Sequence, residues 1–472
     1  MKNNQVSGGS NTTAPQFRNS KGKLDTYSLA EYIEEQYHVI ILDGMLYIYI
    51  DGIYVHDEQL IDNIITKLAR GAKPSEKKSV RDNLMADIYS KDNGNPKKQS
   101  DYYYVAFNNC IVDIRSLETF DFDPENFVIT SKVYADYDVE SDEATIQLVD
   151  SFFNTICCGN TELENLLFEI IGYCMIRSAK YQRAFILYGN ANNGKSDYMN
   201  IISELLGRYC THQNLIQLSN LNNLRSVFQC TANVIDDVED ISKVDFSKIR
   251  TLISGNGKFA IRSAGNTEFS FKPYATLILG TTHILNFSGC DDETIRRFKV
   301  VPFEAKFNKD TVDRNMTEMI TSSSSLNLIA TKAIQAVSRL GREWEFPTIV
   351  EKQTDMYFFE GNPVLAFGKL YPIKRIITID DYYKKYCIWY LHTFNVECDI
   401  NIAVLGKRLN ALFGIKSESH TIDGIKDTFY RAHDFNLELC KKQCDEYCKS
   451  TGKSMKLLEY VDYLNKLDEQ HN

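Results

Sequence analysis

The sequence predicts an α/β protein whose core is a parallel sheet, with an α+β domain before the core and helices with a β-hairpin after it. Between residues 181 and 303, short apolar strand-like runs alternate with helical stretches, which is typical of parallel sheets. Strand-like runs around a turn pair come before this region, and a helix with two strand-like runs comes after it. The chain has 472 residues, which is enough for several domains.

The first part of the chain predicts a disordered tail over residues 1–24 and an α+β domain over residues 25–142. The tail carries the run SGGSNTT, which has nothing to bury. In the domain, strands are expected at 42–55 around the turn pair Asp51–Gly52 and at 102–114, and helices at 58–70 and 76–89. No catalytic group of residues is recognisable there, so the role of this domain stays open.

Apolar periodicity predicts the boundaries of the central region. Residues 143–180 are strongly helical and are expected to form a collar or linker, followed by an α/β unit over residues 181–345. Near the end of this unit, residues 312–341 predict a helix, with the serine run Ser322–Ser325 as its weak point.

The last part of the chain predicts a helical and winged-helix domain over residues 346–435. Helix is expected from Pro363 to about residue 393, then a helix at 403–413 and a hairpin at 418–432. Two helices followed by a hairpin indicate a winged helix. Residues 436–472 predict one charged amphipathic helix.

The strongest motif is G-x4-G-K-[ST], formed by Gly189, Asn190, Ala191, Asn192, Asn193, Gly194, Lys195 and Ser196. Its glycines let the backbone curl so that N–H groups face a phosphate, at the positive end of the following helix. Lys195 can reach the β- and γ-phosphates of ATP, and the Ser196 hydroxyl can ligate Mg²⁺. An apolar strand at 184–188 and a helix at 198–206 flank the loop, which argues against a chance match.

A second strand ends in two acids about forty residues later. The run Ala232–Ile235 is followed by Asp236 and Asp237. In a phosphate-loop enzyme, Asp236 would hold the Mg²⁺ shell and Asp237 would orient the attacking water. The plainer alternative is a pair of solvated acids at a strand end.

A third strand and an arginine pair complete the set. The run 276–282 ends in polar residues, and Thr282 is the candidate for sensing the γ-phosphate. Arg296 and Arg297 precede the apolar strand 298–303, where an arginine can act as a finger that reaches a neighbouring subunit's ATP. A routine surface pair near a strand end is the alternative.

The compact order of phosphate loop, acid strand, polar strand and arginine pair resembles the superfamily 3 helicases, whose motor is related to the AAA+ ATPases. The flanking stretches IIGYCMIRSAKYQRAFILYGNANNGKS and DETIRRFKVVPF are similar to the family's entry and exit. The segment VAFNNCIVDI and the helices after it resemble the domain that precedes the motor in phage and poxvirus helicase–primases. In its short overall length the chain resembles the replication initiators of phage-inducible chromosomal islands.

The resemblance implies an AAA+-like phosphate-loop core and a homo-hexameric ring with ATP sites between subunits. It implies 3′-to-5′ unwinding of DNA, binding of single-stranded DNA in the ring channel, and recognition of double-stranded origin DNA by the terminal domains. No priming site is apparent in the sequence, so a separate primase is expected as a partner. The domain at 25–142 would then be a collar, a DNA clamp or a dock for that primase.

The family places a β-hairpin between its acid and sensor strands, and that hairpin grips DNA. Here residues 259–263 and 268–271 are the expected strands, and Lys258, Arg262 and Lys272 are the cations that can meet phosphates. In the winged helix, Lys407 and Arg408 could face a duplex groove. A structural hairpin and a protein-binding adaptor are the respective alternatives.

Two departures from the family pattern keep rival functions open. Thr282 stands where the family has Asn. Because the Thr side chain reaches less far than that of Asn, ATP hydrolysis could be slow. The hairpin tip, 264–266, lacks the lysine often found there. One rival is an origin-binding protein with a decayed ATPase that only assembles on DNA; another is a phosphate-loop ATPase that remodels DNA or protein without unwinding.

Composition restricts the location and the cysteine chemistry. The chain has no apolar run long enough for a membrane span and no signal-peptide core, so a cytoplasmic protein without membrane contact is expected. The net charge of −10 argues only weakly against nucleic acid. Among the 12 cysteines, Cys440, Cys444 and Cys448 predict one helix face, which could bind a metal or simply pack.

Overall fold

The structure is a computed structural model that describes residues 17–91, 102–238, 241, 243–262, 268–287, 290–307, 315–398, 400–432 and 435–470. Of the tail expected over residues 1–24, residues 1–16 lie outside this description. Among the described residues, none of the helices has both the length and the apolar character needed to cross a membrane.

The N-terminal domain contains helices and two three-stranded antiparallel sheets, in agreement with the α+β character expected from the sequence. Its elements are α1 (Thr26–Gln36), β1 (Val39–Leu42), β2 (Met45–Ile50), β3 (Ile53–Val55), α2 (Glu58–Leu68), α3 (Pro74–Lys91), β4 (Tyr104–Ala106), β5 (Ile111–Asp113) and β6 (Thr119–Phe120). The sheets have the orders β1-β2-β3 and β4-β5-β6. The turn pair Asp51–Gly52 joins β2 to β3, where Ile50 pairs with Ile53. Helix α1 and strands β1 and β6 were not anticipated by the sequence analysis.

Two long helices, α4 (Glu143–Ile156) and α5 (Thr161–Met175), lead from this domain into the sheet region. Their first turns are capped by Asp142 and Asn160, whose side chains accept backbone N–H groups. Both helices contribute to the same hydrophobic core as the central sheet. The boundary expected after residue 180 therefore does not separate two cores.

The central region is a parallel α/β unit. Its elements are β7 (Ala184–Tyr188), α6 (Lys195–Leu206), β8 (Cys210–Thr211), α7 (Leu215–Leu218), β9 (Ala232–Ile235), α8 (Phe246–Ser254), β10 (Phe259–Arg262), β11 (Glu268–Phe271), β12 (Thr276–Thr281), α9 (Asp292–Ile295), β13 (Phe298–Pro302), α10 (Met316–Ile320) and α11 (Ser323–Ser338). The five-stranded sheet has the order β13-β7-β12-β9-β8, and every pairing in it is parallel. Loops after β7, β9 and β12 therefore meet at one edge of the sheet.

Side chains of the sheet alternate between two hydrophobic cores. On β7, Phe185 and Leu187 belong to the core under α4, α5 and α11. Ala184 and Ile186 belong to the core on the opposite face, which also contains residues of α8 and of the β10–β11 hairpin. This period of two buries both faces of the strand. The sheet is consequently the middle layer of three.

The helix expected at 312–341 is divided, because the serine run starts a helix instead of weakening one. Ser322 is the N-cap of α11, and its side chain accepts a hydrogen bond from the Ser325 backbone N–H. Residues 312–314 lie outside the described part of the chain.

The C-terminal part contains the predicted helices and hairpin together with one unpredicted strand. Its elements are α12 (Thr348–Gly361), α13 (Pro363–Leu370), β14 (Ile376–Thr378), α14 (Ile379–Phe394), α15 (Ile402–Phe413), β15 (Ser417–Ile422), β16 (Ile425–Arg431), α16 (Leu437–Thr451) and α17 (Leu457–Gln470). The hairpin β15–β16 is joined by β14, which pairs with β16 from Ile376 opposite Arg431. Strand β14 interrupts the continuous helix expected from Pro363 to residue 393.

The single terminal helix expected over 436–472 is wrong, because α16 ends at a left-handed Gly452 and α17 turns back. Cys440 and Cys444 are buried against Leu457 and Tyr460 of α17. The cysteine face of α16 therefore forms an apolar contact with α17. Of the two alternatives, metal binding and packing, this contact agrees with packing.

The packing of α5 against α11 is close at Gly172, and a substitution there tests it. A Cβ atom at Gly172 of α5 would lie 2.3 Å from the Ala333 carbonyl oxygen and 2.9 Å from Val337 Cβ, both on α11. Gly172→Ala should therefore lower the free energy of unfolding by roughly 1–3 kcal/mol, measured by urea denaturation. Gly341→Ala is the control, since the nearest atom to its Cβ would be 3.7 Å away. Equal stability of the two variants would contradict the close contact.

Candidate functional site

The loop after β7 is held in place by contacts on two sides. Asn193 Nδ2 donates a hydrogen bond to the Phe303 carbonyl oxygen at 2.7 Å, just past the end of β13. A Cβ atom at Gly189 would lie 2.0 Å from that same oxygen, and one at Gly194 would lie 2.4 Å from Ile156 Cγ2 of α4. Gly194 also has a positive φ of 87°. Both motif glycines are thus required by the packing around the loop.

Lys195 begins α6 and is buried inside the curve of the loop. Its Nζ donates hydrogen bonds to the carbonyl oxygens of Gly189 at 2.7 Å and Asn190 at 2.8 Å, and to Asn193 Oδ1 at 3.0 Å. Burial lowers the pKa of Lys195, and the carboxylates of Asp236 and Asp237 oppose that shift. The ammonium group therefore sits among oxygen acceptors with two acids nearby.

Ser196 and Asp236 lie in direct contact, although they come from different parts of the sequence. The Ser196 hydroxyl donates a hydrogen bond to Asp236 Oδ2 at 2.9 Å, and both residues are exposed. Strand β12 lies between β7 and β9, so this contact has to pass over β12. Gly280 of β12 leaves the space, because a Cβ there would lie 3.0 Å from Asp236 Oδ1 and 2.8 Å from Met199 Cε. Gly280 was not singled out by the sequence analysis.

The turn after Asp236 is fixed by Thr281, a second residue that the sequence analysis missed. Asp237 has a left-handed φ of 54°, and the Val238 backbone N–H donates to the Gly280 carbonyl at 2.9 Å. The buried Thr281 hydroxyl lies 3.2 Å from the Val238 carbonyl oxygen. Thr282, the expected sensor, follows the strand and is exposed at the same edge of the sheet. Asp236, Asp237 and Thr282 are thus all brought to the edge that carries the loop.

The two arginines before β13 have different environments. The Arg296 side chain is 76% exposed and pairs with Asp292 one turn earlier. The Arg297 side chain is only 14% exposed; it donates to Glu293 Oε1 at 2.9 Å and to Gln182 Oε1. The Arg296 side chain is therefore the accessible member of the pair, while the Arg297 side chain is held by hydrogen bonds to Glu293 and Gln182.

The backbone of the arginine pair is attached to the start of β7. The Arg183 guanidinium donates to the Arg296 carbonyl at 2.8 Å, and the Ala184 backbone N–H donates to the Arg297 carbonyl at 3.0 Å. Since β7 and β13 are parallel, the pair lies at the amino end of the sheet, opposite the loop that holds Lys195. Within the chain the arginines are thus separated from the candidate phosphate site.

The predicted hairpin is formed by β10 and β11, with Phe259 opposite Phe271 at its base. Both phenylalanines are buried, and Lys258 and Lys272 are exposed just outside the two strands. The side chain of Arg262 and residues 263–267, which include the expected tip, lie outside the described part of the chain. On α15, Lys407 is exposed and Arg408 is partly exposed.

Comparison with known proteins gives two family matches and one curated relative. Residues 27–158 match a family described as "D5 N terminal like", and residues 187–297 match a family of unknown function, DUF5906. A protein of Acanthamoeba polyphaga mimivirus named "Putative helicase L207/L206" is 22% identical over 217 residues, which are 44% of this chain and 22% of that protein. The chain thus spans about a fifth of that relative. Parts of the chain are thus similar to the D5 N-terminal family and to a viral protein named as a putative helicase.

Two solved structures of the "NrS-1 C terminal region" are similar over most of this chain. One apo structure has a TM-score of 0.46 and 10% identity, and it covers 86% of this chain and 98% of its own. The other has a TM-score of 0.45 and 11% identity, and it covers 87% of this chain and 100% of its own.

The two arginines should contribute unequally to stability. Arg297→Ala removes a largely buried side chain with two hydrogen-bond partners, so the free energy of unfolding should fall by about 1–3 kcal/mol. Arg296→Ala removes a mostly exposed side chain, and its partner Asp292 keeps an ion pair with Lys369, so the free energy of unfolding should change by less than about 1 kcal/mol. Chemical denaturation of both variants beside the wild type measures the difference. A larger loss in Arg296→Ala would contradict the environments described above.

Proposed function

We propose that this chain is an ATP-dependent DNA helicase of a mobile element's replication system, which works as a homo-hexameric ring. The observation that carries the proposal is the hydrogen bond between Ser196 and Asp236 beside the buried Lys195. These residues belong to the two motifs, phosphate loop and acid strand, that a nucleotide hydrolase has to bring together. Similarity to a mimivirus protein named as a helicase supports the same conclusion.

Lys195 and the loop backbone would bind the phosphates of ATP. The Lys195 ammonium bonds three loop oxygens, and phosphate oxygens can take their place with a negative charge that neutral carbonyls lack. Burial lowers the pKa of Lys195, so a bound polyphosphate would raise it again and keep the amine protonated. Backbone N–H groups at the start of α6 add a partial positive charge.

Ser196 and Asp236 would hold Mg²⁺, and their geometry fits this ion. Their oxygens are 2.9 Å apart, which is about the spacing of neighbouring ligands in an octahedron with bonds of about 2.1 Å. The bound ion would neutralise charge between the β- and γ-phosphates. Asp237, held at its turn by Thr281, would accept a hydrogen bond from the attacking water and orient it. Thr282 at the same edge would donate to the γ-phosphate.

Arg296 would complete the site of the neighbouring subunit. It lies at the amino end of the sheet, opposite its own loop, and its side chain is mostly exposed and held by an ion pair with Asp292 that a neighbouring subunit's ATP would replace. An arginine supplied in trans stabilises charge in the phosphoryl-transfer transition state. Arg297 would position Arg296 through its contacts with Gln182 and Glu293.

DNA would be gripped at the hairpin and recognised by the C-terminal unit. Lys258, Arg262 and Lys272 belong to the hairpin that would follow one strand in a 3′-to-5′ direction, the polarity implied by the family resemblance. The order α13, β14, α14, α15, β15, β16 and the three-stranded sheet are consistent with a winged helix, in which α15 would present Lys407 and Arg408 to origin duplex. A separate primase would supply primers.

Lys195→Ala should abolish the motor. Loss of the phosphate-binding ammonium should reduce ATP turnover by about 10²–10³-fold, and strand displacement on a forked duplex should disappear with it. Asn200→Ala, an exposed position on the same helix, is the matched control and should keep both activities. A wild-type ring that binds DNA without any turnover would instead identify an initiator with a decayed ATPase, and Thr282→Asn would then be the variant that tests recovery.

Mixing two inactive variants should identify the finger. Lys195→Ala keeps its arginine and Arg296→Ala keeps its loop, so mixed rings should contain functional interfaces and regain part of the ATPase activity that each variant lacks alone. Arg296→Ala by itself should lose about 10³-fold or more in turnover. Arg297→Ala mixed with Lys195→Ala is the comparison. Full activity of Arg296→Ala, with complementation by Arg297→Ala, would assign the finger to Arg297.

A further inference from the structure

A cavity of about 320 Å³ lies at the amino end of the central sheet, at the root of the hairpin. Four segments line it: Tyr102 just before β4, the loop between α5 and β7, the end of α8 with the turn after it, and the residues that follow β11. The lining residues are Tyr102, Arg177, Ser178, Ala179, Lys180, Gln182, Ser254, Asn256, Lys272 and Tyr274. The last three of these segments pack tightly, since a Cβ atom at Gly255 would lie 2.6 Å from Ala179 Cβ and 3.3 Å from the Pro273 carbonyl oxygen. The hairpin and this loop therefore form one surface.

The lining is cationic and aromatic. Arg177, Lys180 and Lys272 line the cavity, and the residues that line it within the described chain include no Asp or Glu. The Arg177 guanidinium is buried and lies 5.0 Å from the centre of the Tyr274 ring, which fixes both groups. Lys180 and Lys272 are exposed. The cavity thus has a fixed floor and two exposed cations at its rim, of which Lys180 also donates to the Gly341 carbonyl oxygen at 3.2 Å.

Tyr102 supplies an accessible ring at the same place. Its side chain is 43% exposed, and its ring packs edge-on against Tyr103 at 4.6 Å. Tyr103 is equally exposed, but its ring carries the Arg115 guanidinium at 4.3 Å. Of the two tyrosines, Tyr102 is the one among the lining residues.

We propose that this cavity binds one nucleotide of single-stranded DNA as the strand leaves the hairpin. The base would stack on Tyr102, and the adjoining phosphates would meet Lys180 and Lys272. Cations beside an exposed aromatic ring are the combination by which proteins hold single strands without sequence preference. The inference rests on the proposed function, and it adds Tyr102, Lys180 and the Arg177–Tyr274 floor to the hairpin cations.

The position of the cavity favours DNA over an acidic protein segment. Lys272 follows directly on β11, so a strand bound by the hairpin reaches the cavity without a gap. An acidic peptide would use the cations but would leave the aromatic ring without a specific role. The cavity is also at the opposite end of the sheet from Lys195, so nucleotide and DNA would not compete within one subunit.

A matched set of tyrosine variants tests the stacking. Tyr102→Leu should weaken binding of a fluorescent oligothymidine by about 5- to 150-fold, measured by anisotropy with the full chain and confirmed folded by thermal melting. Tyr102→Phe keeps the ring and should bind like the wild type. Tyr103→Leu, the control at an equally exposed neighbour, should also bind like the wild type. Unchanged affinity in Tyr102→Leu, or equal losses at both positions, would overturn the proposal.

The salt dependence of DNA binding tests the contact between Lys180 and phosphate. It also distinguishes failure of the cavity proposal from failure of the proposed helicase function. Lys180→Ala should reduce the slope of log affinity against log salt by about 0.7, whereas Lys442→Ala, exposed on α16, should leave it unchanged. If the wild type binds the oligonucleotide and Lys180→Ala keeps the full slope, the cavity is rejected and the helicase stands. A wild type that binds no single strand rejects both. Displacement of the oligonucleotide by polyglutamate, with no effect of Tyr102→Leu, would assign the cavity to an acidic partner.

Discussion

The packing of the loop after β7 against two parts of the protein sets the position of the whole candidate site. The loop after β7 has to approach the Phe303 carbonyl on one side and Ile156 on the other, and only glycine fits at Gly189 and Gly194. Asn193 closes the contact by donating to the same carbonyl. Because Ile156 ends α4 and Phe303 follows β13, the loop is fixed only when the helices before the sheet and its last strand are both folded.

The candidate functional residues are divided between the two edges of the central sheet, because its parallel strands all end at one edge and begin at the other. Its carboxyl edge carries Lys195, Ser196 and Asp236, while its amino edge carries the arginine pair and the cationic cavity. Gln182 connects the two features of the amino edge, since it lines the cavity and accepts a hydrogen bond from Arg297. Under the proposed function, a strand bound in the cavity would touch the loop that holds Arg297, and this contact would couple DNA binding to the proposed ATPase site of a neighbouring subunit.

Sequence patterns predicted the long and repetitive elements well and the short ones poorly. The α/β alternation, the turn at Asp51–Gly52 and the hairpin at the end of the C-terminal unit were confirmed, because each depends on local periodicity or turn chemistry. Among the short strands, β1, β6, β8 and β14 were missed, since strands of two to four residues depend largely on their pairing partners. The break at Gly452 was missed because the residues on both sides of it suit a helix.

The sequence alone determined which residues could act, because the spacing of a phosphate loop, an acid pair and an arginine pair follows from local chain chemistry. Tertiary structure decided how they are placed. Only the folded sheet shows that Gly280 leaves room for Asp236 to reach Ser196 across β12, and that Arg296 is exposed while Arg297 is held. The cavity beside Tyr102 depends on three loops distant in sequence, and a periodic pattern within one segment carries no information about such a meeting.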